Sequence, residues 1–159
     1  MKKGTTGEAS IHIEAPPEKV YTLVSDVTRM GEWSPETTKC EWLDGATGPA
    51  VGARFKGSNK NGMIRWSTKP RVLAADDGHE FSFVTDMRGN DLTKWSYRFA
   101  PDASGTKVTE SFEMMADQPG FITFLEKRVM RVKDRRAELE KGMEATLQRI
   151  KAAVEGSAS

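Results

Sequence analysis

Cysteine and histidine are almost missing from this 159-residue chain, which has one of the first, Cys40, and two of the second, His12 and His79. A single thiol excludes an intramolecular disulfide and fits a reducing compartment. Without clustered His or Cys, a zinc site is not expected. His12 has the opposite strand parity to Ile11 and Ile13, and His79 follows an Asp-Asp-Gly turn. Both are therefore expected at solvent rather than in catalysis. Cys40 shares parity with Trp42 and reads as a small buried hydrophobe, not a nucleophile.

Long apolar runs and excess charge are missing too. No stretch approaches the length of a membrane span. The start, MKKGTTGEASIHIE, has two lysines but no apolar run behind them, so it does not read as a secretory signal. A cytoplasmic protein with no integral membrane association is expected. The 24 Lys and Arg nearly cancel the 23 Asp and Glu, leaving a formal net charge of +1. No whole-molecule field points to nucleic acid. The basic stretch KRVMRVKDRRAELEK mixes signs around an apolar stripe and reads as a solvated helix face. DGATGPAVGAR has glycines without phosphate-loop spacing, and no Gly-x-Ser-x-Gly elbow occurs. Asp76 and Asp77 are adjacent in a turn, an unsuitable acid/base pair. No cofactor and no metal are expected.

What is present is alternation. Ser10 to Glu14 reads as a short strand, and residues 1–7 as a loose arm. Pro16 and Pro17 open an amphipathic helix carrying Val20, Leu23, Val24 and Val27, because proline suits a first turn. A second short helix runs through Met30 and Trp33 to Pro35, then Thr37 to Leu43 alternates as a strand. The Gly-rich loop DGATGPAVGARF leads into a strand at Phe55 and is placed as a lid over a cavity mouth. Asn59 to Gly62 signals a hairpin. A long strand over 63–75 is irregular at Pro70, and Glu80 to Met87 alternates again. Everything after Pro119 reads as one long helix, apart from a terminal GSAS tail at 156–159. The predicted architecture is α+β, with about seven antiparallel strands whose apolar side the terminal helix covers. A single domain over 8–155 is expected.

Two charges interrupt apolar rows. In DLTKWSYRFAPDASGTKVTESFEMM, Trp95, Tyr97 and Phe99 share one face, and Val108, Glu110, Phe112 and Met114 share the other strand's matching face. If Phe99 pairs with Val108, Tyr97 faces Glu110. On the terminal helix Ile122, Leu125, Val129, Val132, Leu139, Met143, Leu147, Ile150 and Val154 make one stripe, with one gap filled by Arg136. Two readings of these charges stand. Glu110 is a structural charge bonded to Tyr97 while Arg136 snorkels. Alternatively, Glu110, Tyr97 and Arg136 meet as the polar groups of an apolar pocket. Trp66, Phe83, Trp95, Phe112, Met114 and Val132 are the remaining lining candidates; Met63, Met87 and Met115 join Met114 as an adaptable lining, and Trp33 and Trp42 fit a plug between the short helices and the sheet.

Three stretches together, IHIEAPPEKVYTLVSDVTRMGEWSPETTKCEWLDG, GPAVGARFKGSNKNG and TKWSYRFAP with GTKVTESFE, resemble the polyketide cyclase/dehydrase branch of the START-like (SRPBCC, helix-grip) superfamily. The signature is a combination: Ala15-Pro16-Pro17-Glu18 entering a helix, Trp33-Ser34-Pro35, and Gly52-Ala53-Arg54-Phe55 after the Gly-rich loop. The resemblance implies a helix-grip fold, a curved antiparallel sheet around a long C-terminal helix with a hydrophobic cavity between them. It transfers no catalytic motif, because a shared fold does not carry a reaction. The expected partner is a small hydrophobic molecule, aromatic, polyketide-like or acyl. The alternative is a cyclase/aromatase or dehydratase in which Arg136 stabilises an enolate and Glu110 or Tyr97 moves a proton. A protein-interaction module with a filled core is a third class; it needs an exposed apolar patch, and the periodicities show none.

Overall fold

The computed structural model describes residues 1–156. The elements run β1 (Thr6–Ile13), α1 (Pro17–Val24), a 3-10 helix (Val27–Glu32), β2 (Thr37–Trp42), β3 (Phe55–Asn61), β4 (Ile64–Thr68), β5 (Arg71–Asp76), β6 (Glu80–Met87), β7 (Asn90–Asp102), β8 (Gly105–Met114), α2 (Gly120–Arg128) and α3 (Arg135–Gly156). This is the expected α+β helix-grip arrangement, with eight strands where the sequence predicts about seven. The extra one arises at Pro70, which splits the long 63–75 segment into β4 and β5 because proline has no ladder donor.

The strands form an antiparallel sheet ordered β1-β8-β7-β6-β5 and a smaller one ordered β2-β3-β4. An Arg54–Arg71 bridge and the Phe55 amide on the Pro70 carbonyl at 3.2 Å hold the two together. Tight turns carry the positive backbone angles their hairpins require: Gly62 after β3, Arg88 and Gly89 between β6 and β7, and Ala103 between β7 and β8. Asp26 starts the 3-10 helix by accepting the Thr28 amide at 3.2 Å. Val20, Tyr21 and Val24 of α1 and Met143, Leu147, Ile150 and Val154 of α3 bury against the sheet's inner face. Trp33 is buried as expected, while Trp42 is half-buried with its ring edge-on to Phe55. No helix among the described residues is long and apolar enough to cross a membrane.

Two segments differ from expectation. The C-terminal region is two helices, not one. At the end of α2 the Val129 and Met130 amides both reach the Leu125 carbonyl, and Val132 reaches back to Glu126 at 2.7 Å. Arg131 turns into the left-handed region at φ 57°, and the Asp134 carboxylate then caps a new helix through the Ala137 amide at 3.1 Å. The 1–7 arm is also pinned rather than loose. The Met1 ammonium donates to Gln118 Oε1 at 2.7 Å, Gly4 to the Met114 carbonyl at 2.8 Å, and β1 already begins at Thr6. Gly156 of the predicted tail ends α3, and 157–159 lie outside the described residues.

Candidate functional site

Alternation on a two-residue hairpin fixes which side chains face one another. Tyr97 pairs with Glu110, flanked by Phe99–Val108 on one side and Trp95–Phe112 on the other. Across the sheet, one row reads Phe83, Trp95, Phe112, Gly7, and the next Phe81, Tyr97, Glu110, Ala9. The carboxyl therefore sits inside a field of aromatic rings. Trp95 and Phe112 are tilted against each other at 5.6 Å between centroids, and Phe83 meets Phe81 at 5.8 Å and Phe55 at 5.2 Å.

The Tyr97 hydroxyl donates to Glu110 Oε1 at 3.1 Å, and Glu110 is only 5% exposed. Burial pushes its carboxyl up to about 8, against the opposing pull of the Tyr97 hydrogen bond. Burial, reinforced by Glu110, also holds the Tyr97 phenol well above its ordinary range. At neutral pH the pair is a carboxylic acid beside a phenol. With Oε1 accepting from Tyr97, the acid proton belongs on Oε2, which is buried without a partner among the described residues. A buried donor lacking an acceptor costs about 1–3 kcal/mol. The other orphan, Ser82 Oγ, lies on β6 with parity opposite to Phe81 and Phe83.

Glu110 also marks a seam in the core. Val108, Tyr97, Phe99, Leu147 and Ile150 belong to the large apolar cluster, whereas Phe112, Met114 and Met143 form a second one. Trp95 and Ala9 pack against both. The acid lies on β8 between the two.

Arg136 does not join it. It is 52% exposed, donates through Nε to the Thr6 carbonyl at 2.6 Å and pairs with Glu140 at 3.3 Å. Thr6 is opposite Glu113, three residues along the ladder from the Ala9–Glu110 pair, a distance of about 10 Å. The cation that turns inward is its neighbour Arg135, 13% exposed, which sequence reasoning missed. Arg135 grips Glu36 with two hydrogen bonds, at 2.6 and 2.9 Å, and reaches Glu126 at 3.2 Å and Glu138 at 2.5 Å. Asn61 bridges Glu36 and Glu138, and Gln118 links Glu126 to the N-terminus. Burial works against the guanidinium's charge, but the carboxylates led by Glu36 outweigh it and raise its pKa. This clasp ties β3, α2 and α3 together at one end of the grip.

Of the other candidates, Phe83, Trp95, Phe112 and Met114 occupy the inner face around Glu110, and Val132 is buried in the α2–α3 bend. Trp66 stands apart on β4, where it lines a concavity of about 360 Å³ with Thr38, Ser58, Asn59, Lys60, Arg65 and Ser67. A second hollow, of about 180 Å³, lies between α1 and α3. Neither contains Glu110 or Tyr97. The Gly-rich loop is held to the sheet by Gly52 and Ala53, through bonds to Val72 at 2.9 and 2.8 Å. Met63 is fully in solvent at its turn. Cys40 is buried, with its thiol pushed up to about 11 by desolvation, and His12 lies half-exposed between Glu14 and Asp102. No group of His, Cys, Asp and Glu among the described residues is arranged to hold a metal ion.

Residues 5–155 match the family model described as polyketide cyclase/dehydrase and lipid transport. The chain belongs to that family. A Polyketide_cyc-like protein from Corynebacterium glutamicum, solved in solution, is 36% identical, with 100% of this chain and 96% of that one covered at a TM-score of 0.66. An aromatase/cyclase from a Streptomyces species shares the fold at a TM-score of 0.71 and 15% identity, over 98% and 96% of the chains. A Thermus thermophilus protein does so at 0.67 and 20%, over 98% and 100%. No curated protein matches significantly. Membership of the polyketide cyclase/dehydrase family supports a ligand-binding or cyclase role for the chain.

Proposed function

We propose that this polyketide cyclase/dehydrase family protein binds a small hydrophobic molecule with a carbonyl oxygen, aromatic, polyketide-like or acyl, between its sheet and α3. One observation carries the reading: the buried Glu110 acid has an oxygen, Oε2, without a partner among the described residues, on the inner face beside Tyr97. A ligand carbonyl accepting the Oε2 proton removes the cost of that orphan, and an apolar ligand body suits the surrounding rings. Phe83, Trp95, Phe112, Met114 and Val132 provide contact area. Met114 and Met143 belong with Phe112 to the smaller of the two apolar clusters, and unbranched thioethers repack around a guest at low cost.

A second reading rests on the same carboxyl. An acid with a pKa of about 8 is a usable proton donor near neutrality. In a cyclase, Glu110 would protonate the substrate's carbonyl oxygen as a carbon nucleophile attacks the carbonyl carbon, with Tyr97 holding the acid in place.

Native mass spectrometry of the purified protein, followed by denaturing extraction, tests the binding reading, with anthraquinone as an added probe. The expected result is a one-to-one hydrophobic adduct in the wild type, weakened about tenfold in Glu110→Leu, which lacks the donor. Glu110→Gln keeps a donor but no acid proton; retained binding with lost turnover of a cyclisable substrate assigns catalysis. A bare protein with neither a copurifying molecule nor a probe adduct overturns the reading.

A further inference from the structure

The helix α2 is inside out. Its one buried residue is a carboxylate, Glu126, drawn inward by Arg135 and Gln118, while Phe121 and Phe124 are 52% and 60% exposed. At 3.6 residues per turn, Lys127, Phe124, Arg128 and Phe121 share an outward arc of about 120° that holds no carboxylate. The Arg88 guanidinium, from the β6–β7 turn, sits over the Phe121 ring at 5.9 Å. Val129 follows at the helix end, half-exposed, with Arg131 and Lys133 exposed in the bend beyond it. The nearby acids face other duties: Asp134 caps α3, and Asp117 binds the Lys3 amide and pairs with Lys2. Exposed rings interleaved with cations, on a helix anchored from behind by a polar clasp, have the composition of an interfacial helix. The apolar face that the sequence periodicity does not show therefore exists, because the clasp rather than the apolar stripe sets how α2 is rotated.

We propose that the outer face of α2, with Arg88 and the 129–133 bend, docks onto an anionic lipid bilayer. Phe121, Phe124 and Val129 enter the headgroup–acyl boundary, while Arg88, Lys127, Arg128, Arg131 and Lys133 meet lipid phosphates and carboxylates. The charge pattern selects this occupant: a second copy of the chain would bring five cations against five. The surface does not include Glu110 or Tyr97, so it stands or falls independently of the ligand reading.

Cosedimentation of the full chain with vesicles tests it, comparing equal parts phosphatidylserine and phosphatidylcholine with pure phosphatidylcholine at low salt. Binding to the anionic vesicles is expected to be at least tenfold stronger and to weaken with added salt. Lys127→Glu with Arg128→Glu is expected to lower it by more than about twentyfold, at about fivefold or more per charge. Phe121→Ser with Phe124→Ser is expected to lower it by more than tenfold, with only a small drop in melting temperature because both rings are more than half exposed. No anionic-vesicle binding by the wild type, or undiminished binding by the Phe pair variant, overturns the proposal. So does a concentration-dependent dimer that the Phe pair variant abolishes, which would assign the face to a second copy.

Discussion

Arg135 and Glu36 meet through two parallel hydrogen bonds, Nη1 to Oε2 at 2.6 Å and Nη2 to Oε1 at 2.9 Å, joining the start of α3 to the segment before β2. Because Glu126 and Glu138 share the same guanidinium, Arg135→Ala would strand three carboxylates together. The expected loss is about 2–3 kcal/mol, below the ~3–5 kcal/mol of a fully buried pair because Glu138 is open to solvent. Arg136→Ala removes one exposed ion pair and one backbone hydrogen bond, and is expected to cost under about 1 kcal/mol. Denaturant titration of the two variants checks the contrast; equal losses would contradict it.

Glu110 gives stability a pH signature. Its carboxyl is raised from 4.5 to about 8 on folding, so between those values the native state holds a proton that the unfolded chain has released. The stabilisation is fully present below 4.5 and falls as pH rises, at up to about 1.4 kcal/mol per pH unit, levelling off above 8. Glu110→Gln keeps the Tyr97 hydrogen-bond acceptor without the titration. Its unfolding free energy, measured from pH 5 to about 9, is expected to lack this slope and to exceed the wild type's at the alkaline end. Parallel profiles would sink the assignment.

Cys40 tests the packing of β2 against the 3-10 helix, where its thiol meets the Met30 sulfur at 3.9 Å. Desolvation raises its thiol to about 11, so almost no thiolate forms near neutrality. Alkylation at pH 8 is expected to proceed only as the chain unfolds, with a rate that tracks denaturant. Rapid labelling of the native protein would contradict the burial of Cys40.

Gly105 has no room for a side chain. A Cβ there would stand 2.1 Å from the Ile13 carbonyl oxygen and 3.0 Å from Glu14 Cα, both backbone atoms that cannot swing aside. Gly105→Ala is expected to cost more than about 2 kcal/mol. A melting temperature unchanged by the substitution would contradict the β1–β8 approach.

The Tyr97–Glu110 facing was legible in the sequence because strand alternation has a period of two and a short hairpin fixes register, so pairing Phe99 with Val108 determines the rest. The helical stripe was less reliable. From Leu139 to Val154 it holds, since Met143, Leu147, Ile150 and Val154 are all buried. Upstream, the break at 129–134 resets the helical phase, and the inward cation becomes Arg135 rather than Arg136. Asp134 was a readable N-cap cue within the apolar pattern. The rotation of α2 was not readable, because it depends on Glu36, Asn61 and Gln118 converging from distant parts of the chain.

Glu110, raised to about 8 by burial, is a neutral acid at physiological pH with a proton to offer. Carbon NMR of the protein labelled at its glutamate carboxyls, titrated from pH 4 to about 10 and assigned with Glu110→Gln, measures this directly. The expected result is one carboxyl, lost in Glu110→Gln, titrating near 8 and shifting when an aromatic ketone is added. A Glu110 resonance that titrates below about 5 would mean an ionised carboxylate with no proton to donate, and would contradict it.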